Sequence, residues 1–99
     1  MEASRVSRLN PLIHERARLG IVSALAARDA AAFAELKALL DMTDGNLSVH
    51  LRVLEEAGYV ALDKTFEGRK PRTTARLTKK GRVAFEHYVE VLGEIVKGR

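Results

Sequence analysis

Residues 33–58 read FAELKALLDMTDGNLSVHLRVLEEAG, and the spacing of apolar residues in this stretch decides the fold. Phe33, Leu36, Leu39 and Leu40 form the apolar side of a helix over Phe33–Leu40, and Leu47, Leu51 and Leu54 recur at helical spacing further on. Asp41-Met42-Thr43 between them is too brief for anything but a tight turn. Thr43 is a good N-cap, and Asp44 follows in the first turn, where the positive end of the helix dipole favours an anion. Gly58 closes the second helix. Two helices of this size joined by so short a turn form a helix-turn-helix unit.

Downstream, the period changes. Val60, Leu62, Lys64 and Phe66 alternate with Ala61, Asp63 and Thr65, the two-residue repeat of a strand. Glu67-Gly68 supplies a turn, and Thr73, Ala75 and Leu77 then alternate with Thr74 and Arg76, completing a β-hairpin. Pro71 near its tip suits an exposed edge. Thr78 caps a last helix from Lys79 to about Val96. Upstream, Asn10-Pro11 reads as a helix start, with Ile13, Ala17, Ile21 and Leu25 at helical spacing and Leu12, Leu19 and Val22 widening the stripe to about Ala27. Gly20 within it marks close packing against another helix, and Arg28–Ala32 is a short break. The fold class is mainly α with a small β-hairpin (α+β). One domain spans residues 1–99, with residues 10–78 as its core and 79–97 as a C-terminal helix.

Composition sets the outer limits. Ninety-nine residues fit one domain. At 46% hydrophobic and 30% charged, the chain is neither a disordered tail nor a membrane protein. Aromatic residues make up only 5% and Trp is absent, so the core is aliphatic and thin, and burial between subunits adds stability. The absence of cysteine removes disulfides and thiolate metal sites and suits a reducing compartment. Residues Met1 to Leu9 lack an apolar signal core, so the chain is expected in the cytoplasm.

The net charge of +4 suits an anionic partner, and its distribution is more telling. Residues 29–63 hold two basic and seven acidic side chains. Residues 64–82 hold eight basic ones (Lys64, Arg69, Lys70, Arg72, Arg76, Lys79, Lys80, Arg82) against Glu67 alone. With the Leu47/Leu51/Leu54 stripe facing inward, Gly45, Ser48, Val49 and Arg52 point outward, with Asn46 and Val53 at the flanks. Such a face is small and polar, as a helix in the DNA major groove must be. Asn pairs with adenine, Arg with guanine, Ser with a base or phosphate, and Val with a thymine methyl, while Gly45 admits close backbone approach. The hairpin cations Lys64, Arg69, Lys70, Arg72 and Arg76 neutralise phosphates, and an Arg at the tip reaches the minor groove, with Arg69 and Arg72 ranking highest. Lys79 and Lys80 oppose the dipole of the last helix unless an anion docks there. Arg52 is the only cation on the reading helix, which ends in Glu55-Glu56, so affinity rests on the hairpin and depends strongly on salt.

Leu47-Ser48-Val49-His50-Leu51-Arg52-Val53-Leu54-Glu55-Glu56-Ala57-Gly58-Tyr59-Val60 resembles the recognition helix and following strand of winged-helix regulators of the MarR and ArsR types. Glu67 to Thr78, followed by Gly81-Arg82, resembles their wing and the start of the next helix, and Leu12-Ile13-His14-Glu15 resembles the opening of their first helix. The resemblance covers roughly residues 9 to 95. It implies a winged helix-turn-helix fold with N- and C-terminal dimerisation helices, and a dimeric regulator of transcription acting as a repressor, with Thr43, Gly45, Asn46, Ser48, Val49 and Arg52 toward double-stranded DNA. Many such regulators carry a ligand pocket between the dimer helices and the DNA-binding part, for which a chain of this size leaves little spare volume.

The last helix is apolar on two tracks: Val83, Phe85, Val89, Leu92 and Val96 on one, and Ala84, Tyr88, Val91 and Ile95 on the other. A surface helix needs a single stripe, so the second track needs another partner. Residues 4–25 and 80–97 of two chains are therefore expected to form a homodimer through Leu9, Leu12, Ile13, Phe85, Tyr88, Val89, Leu92, Ile95 and Val96. A twofold dimer presents its reading helices about 34–36 Å apart, matching an inverted-repeat operator.

Other classes find less support. Ser48 and His50 diverge by about 200° on their helix, which separates any nucleophile from a base, and no Gly-rich phosphate loop occurs, so the chain is not read as an enzyme. No cofactor is expected. Glu86, His87 and Glu90 fall at helical spacing and give a metal-responsive ArsR-type sensor as one alternative, although such groups on an exposed helix are usually solvated. No metal site is assigned, and His14 and His50 read as packed or capping histidines. The other alternative is a winged-helix protein–protein module, against which the basic hairpin argues.

Overall fold

The structure, a computed structural model, describes residues 2–98 and the side chains of residues 5–98. Met1 and Arg99, the ends of the expected domain, lie outside the described residues. In chain order the elements are α1 (Glu2–Ser7), α2 (Arg16–Arg28), β1 (Ala30–Ala32), α3 (Phe33–Leu40), α4 (Asp44–Glu56), β2 (Val60–Glu67), β3 (Lys70–Leu77) and α5 (Lys79–Val96). The spans of α3, α4 and α5 follow the apolar spacing and the caps read from the sequence. Thr43 Oγ1 accepts from Asn46 N at 3.1 Å, and Thr78 Oγ1 accepts from Gly81 N at 2.9 Å.

The first helix does not begin at Asn10. Asn10 Oδ1 does accept from the Leu12 and Ile13 N–H groups, at 2.9 and 3.2 Å, but this closes a turn and not a helix. The backbone then extends at Glu15 (φ −150°, ψ 134°), and the Glu15 side chain caps α2 by accepting from Arg18 N at 2.8 Å. The break turns Ile13 fully inward, against the second of two apolar clusters. The short α1 precedes this turn and packs along α5.

The break at Arg28–Ala32 contains β1, which three alanines do not announce. Asp29 ends α2 at φ 68°, and Ala30, Ala31 and Ala32 pair antiparallel with Arg76, Ala75 and Thr74. The sheet order is β1-β3-β2. Its inner face joins α2, α3 and α4 in the main core, where Ile21, Val22, Leu25, Leu36, Leu47, Leu51, Leu54 and Val60 are buried. Gly20 meets Leu40, a Cβ there lying 3.3 Å from Leu40 Cδ2, which is the close helix packing the sequence implied. The second cluster holds Leu9, Ile13, Tyr88 and Val91 between the N-terminal turn and α5.

The two clusters meet at Tyr59, which packs against both. Tyr59 O accepts from Thr78 N at 3.0 Å, and α5 starts so close above it that a Cβ on Gly81 would lie 2.1 Å from that oxygen. Only glycine fits. The molecule is elongated, measuring 55 × 25 × 21 Å. Among the described residues, no helix is long and apolar enough to cross a membrane.

Candidate nucleic-acid interface

Helix α4 is held by its inner stripe. Leu47, Leu51 and Leu54 are buried, while Thr43, Gly45, Asn46, Ser48, Val49 and Arg52 are all exposed, so the outward face is the one read from the sequence. Lys37 Nζ from α3 stands 2.8 Å from Asp44 Oδ1, which offsets the one carboxylate at the N-terminal end of that face. Beside it runs a cleft of about 530 Å³ lined by Phe33, Ser48, Arg52, Glu55, Leu62, Lys64 and Thr73. Ser48, Arg52 and Lys64 thus border one groove between α4 and the hairpin.

The flank of α4 is tied to the start of α2 by an arrangement the sequence did not reveal. Arg18 lies across the turn, its Nε donating to Leu12 O and its guanidinium 3.1 Å from His50 Nδ1. Arginine only donates, so His50 accepts. Glu15 Oε1 stands 3.8 Å from the same His50 nitrogen. The Arg18 backbone N–H holds the Glu15 carboxyl below its ordinary range against the opposing effect of burial, with the Ala17 N–H and the Arg18 charge adding to it. His14 is placed differently, its Nδ1 2.8 Å from the hydroxyl of buried Tyr88. His50 is half-buried as expected, whereas His14 is exposed and held only at its Nδ1; among the described residues, neither Ser48 nor any other hydroxyl is seen to bond His50.

The hairpin sorts its residues by strand parity. Val60, Leu62, Lys64 and Phe66 on β2 face the same side as Leu77, Ala75, Thr73 and Pro71, their partners on β3. This row begins in the core and runs out toward the tip. On the opposite face, Arg76 Nε is 3.3 Å from Asp63 Oδ2, and Arg72 is 3.0 Å from Glu67 Oε2. Of the five hairpin cations singled out from the sequence, Arg72 and Arg76 are therefore already paired on the outer face. Among the described residues, Lys64, Arg69 and Lys70 have no carboxylate partner, and neither does Arg52. Lys80 lies over the Tyr59 ring, 5.7 Å from its centroid, and Arg82 pairs with Asp29 at 3.2 Å, so only Lys79 of that trio stays unpaired.

Helix α5 separates its two tracks. Tyr88 and Val91 are buried, with Ala84 and Ile95 half-buried beside them, so this track covers the chain's own second cluster. Leu9, Ile13 and Tyr88, expected at a subunit contact, face inward within one chain; the break before Glu15 and the α1–α5 packing bury them. Phe85, Leu12, Leu92 and Ile95 are partly covered. Of the other track only the valines stay exposed, Val83 at 57%, Val89 at 50% and Val96 at 78%, and Val6 of α1 is 51% exposed. Glu86, His87 and Glu90 are exposed on α5, and among the described residues no three His, Asp or Glu side chains converge as metal ligands do. Open clefts of about 460 and 620 Å³, sharing Glu15, Arg16 and Gly20, flank the start of α2.

Residues 17–96 match the family model described as Winged helix DNA-binding domain. An uncharacterized protein of Methanocaldococcus jannaschii is 38% identical over 80 residues, spanning 81% of this chain and 87% of its own length. The structure of a transcriptional regulator homologue from Pyrococcus horikoshii OT3 superposes with a TM-score of 0.89 at 32% identity, covering 98% of this chain and 95% of that one. A transcriptional regulator of the MarR family from Enterococcus faecalis V583 shares the fold, with a TM-score of 0.74 at 24% identity over 88% of this chain and 80% of that one.

Proposed function

The chain belongs to the winged helix DNA-binding domain family and is a DNA-binding transcriptional regulator, not an enzyme, and from that premise we propose that it acts as a homodimeric repressor on an inverted-repeat operator in the cytoplasm. Helix α4 enters the major groove and reads bases through Asn46, Ser48, Val49 and Arg52, with Thr43 and Gly45 at its N-terminal approach. The hairpin is the wing; Lys64, Arg69 and Lys70 meet phosphates, and Arg69 at the tip reaches the neighbouring minor groove. Arg72 and Arg76 add charge after exchanging a carboxylate for a phosphate. A dimer seated across a promoter represses by occupancy alone.

The observation that supports this most directly is the groove in which Arg52 of α4 and Lys64 of the wing stand together without carboxylate partners. Glu55 lines the same groove but, among the described residues, pairs with neither cation, so a polyanion can engage both. For the dimer, the support is the exposure of Val89 and Val96, seven residues apart on one side of α5, which a second copy related by a twofold axis would cover. A gel shift with a pool of random duplexes at low salt tests the reading. A retarded complex at micromolar protein that dissolves as salt rises is expected, and its absence refutes DNA binding. Sedimentation of the free protein at twice the chain mass is expected in parallel, and a strictly monomeric result refutes the dimer.

A further inference from the structure

We propose that Phe66 is an apolar wedge of the wing, entering the minor groove beside the α4 site and unstacking a base step there. The proposal rests on the DNA-binding reading above and adds to it a contact that no charge supplies. Phe66 is 74% exposed. A single exposed apolar side chain needs no explanation by itself, so its surroundings carry the inference. Its cross-strand partner is Pro71, also exposed, and neither covers the other. By parity it continues the row Val60, Leu62, Lys64, which is the face turned toward α4. The inward row of the sheet therefore runs out past the core and ends in an aromatic ring.

Charge complementarity identifies the occupant. Lys64 lies two residues back on the same face, Arg69 occupies the turn and Lys70 opens the return strand, all without carboxylate partners. A hydrophobic protein surface would have to bury these cations unpaired, at high cost. A minor groove instead offers phosphates on both rims and stacked, apolar interior surfaces, and Phe is among the side chains that wedge between base steps there. The reach also fits. Leu62 lines the groove against α4, and four residues of strand carry the chain about 13 Å further, close to the half-turn of about 17 Å separating adjacent grooves on one face of DNA.

The test uses the full chain and a duplex selected by the wild-type protein from a random pool, carrying 2-aminopurine at successive positions flanking the selected site. Wild type should raise the 2-aminopurine emission severalfold at one flanking step. Phe66→Ala should abolish that rise and weaken binding about tenfold without changing the salt slope, since no cation is removed. Phe66→Leu should retain most of the affinity. Wild-type affinity in Phe66→Ala, or no emission rise at any flanking step, overturns the wedge while leaving DNA binding intact. A Phe66→Ala chain whose sedimentation coefficient shows loss of dimer also overturns it and assigns Phe66 to a second copy. Failure of the wild type to bind any duplex removes both proposals together.

Discussion

Helix α4 and the wing stand side by side, yet they are built by opposite means. The helix is anchored by Leu47, Leu51 and Leu54, all buried, and its outer face carries small polar groups with Arg52 as its one cation. The wing buries little beyond Val60, Ala75 and Leu77, and its outer half is exposed from Asp63 to Arg72. What it has is charge. A fixed backbone with short side chains can discriminate base edges, because bidentate hydrogen bonds require defined geometry. A long, exposed hairpin is poor at that but can hold cations near phosphates wherever the backbone runs. The difference divides the work: the proposed base contacts sit on the rigid element and the proposed affinity on the loose one.

The strongest test of this contrast is its footing. Leu51→Ala should cost about 2–5 kcal/mol of stability by leaving a cavity under α4, whereas Lys70→Ala on the wing should change it by less than about 0.5 kcal/mol. Urea unfolding of both variants measures the two values, and comparable losses would show that the wing is as tightly integrated as the helix. Next in size, Arg52→Ala should reduce discrimination at one base pair by about 1–3 kcal/mol. Arg69→Ala should instead weaken all duplexes alike and lower the salt slope by about one unit. Binding isotherms over a salt series on matched and mismatched duplexes separate the two outcomes. If both variants lose affinity uniformly, α4 reads no bases.

A third test concerns how α4 is held at its flank. Glu15 caps α2 and faces Arg18 and His50, and its carboxyl is held below its ordinary range chiefly by the Arg18 backbone N–H. A carboxylate depressed on folding contributes stability that is present above its unfolded pKa, near 4.5, and is lost as the pH falls through the lower folded value. In Glu15→Gln the cap can still accept from Arg18 N but no longer titrates. Stability of the variant should therefore fall less steeply than wild type as the pH is lowered from about 5 toward 3. Parallel acid limbs would mean that other carboxylates carry the whole effect.

Much of this architecture is legible because it is periodic. The leucine stripe of α4 and the caps at Thr43 and Thr78 are local signals, and each appears where spacing and hydrogen-bonding chemistry place it. The parts that escape are set by distant partners. Ala30–Ala32 has no strand signature and becomes β1 only because Arg76, Ala75 and Thr74 offer an edge. Asn10-Pro11 satisfies every local rule for a helix start, yet burial of Ile13 against α5 breaks the chain before Glu15. On α5 the two apolar tracks are plain in the sequence, but which one covers the chain's own core depends on where the N-terminal turn lands. The candidate site divides in the same way: the exposed face of α4 is readable from helical geometry, while the pairing of Arg72 and Arg76 requires the register of the hairpin.

That pairing yields the smallest effect and the sharpest question about the wing. Arg72 ranked high as a DNA contact from its place near the tip, but it stands 3.0 Å from Glu67 Oε2 in an exposed pair. Exposed pairs contribute about 0–1 kcal/mol, so Glu67→Gln should leave stability nearly unchanged. It also removes the one carboxylate in the basic block and releases the guanidinium. Binding to every duplex should then tighten about two- to fivefold at low salt, with a steeper salt slope and unaltered base preference. If affinity falls instead, Glu67 serves to aim Arg72, and the outer face of the wing takes part in recognition by geometry as α4 does. The sign of that single change decides whether the wing is only a reservoir of charge.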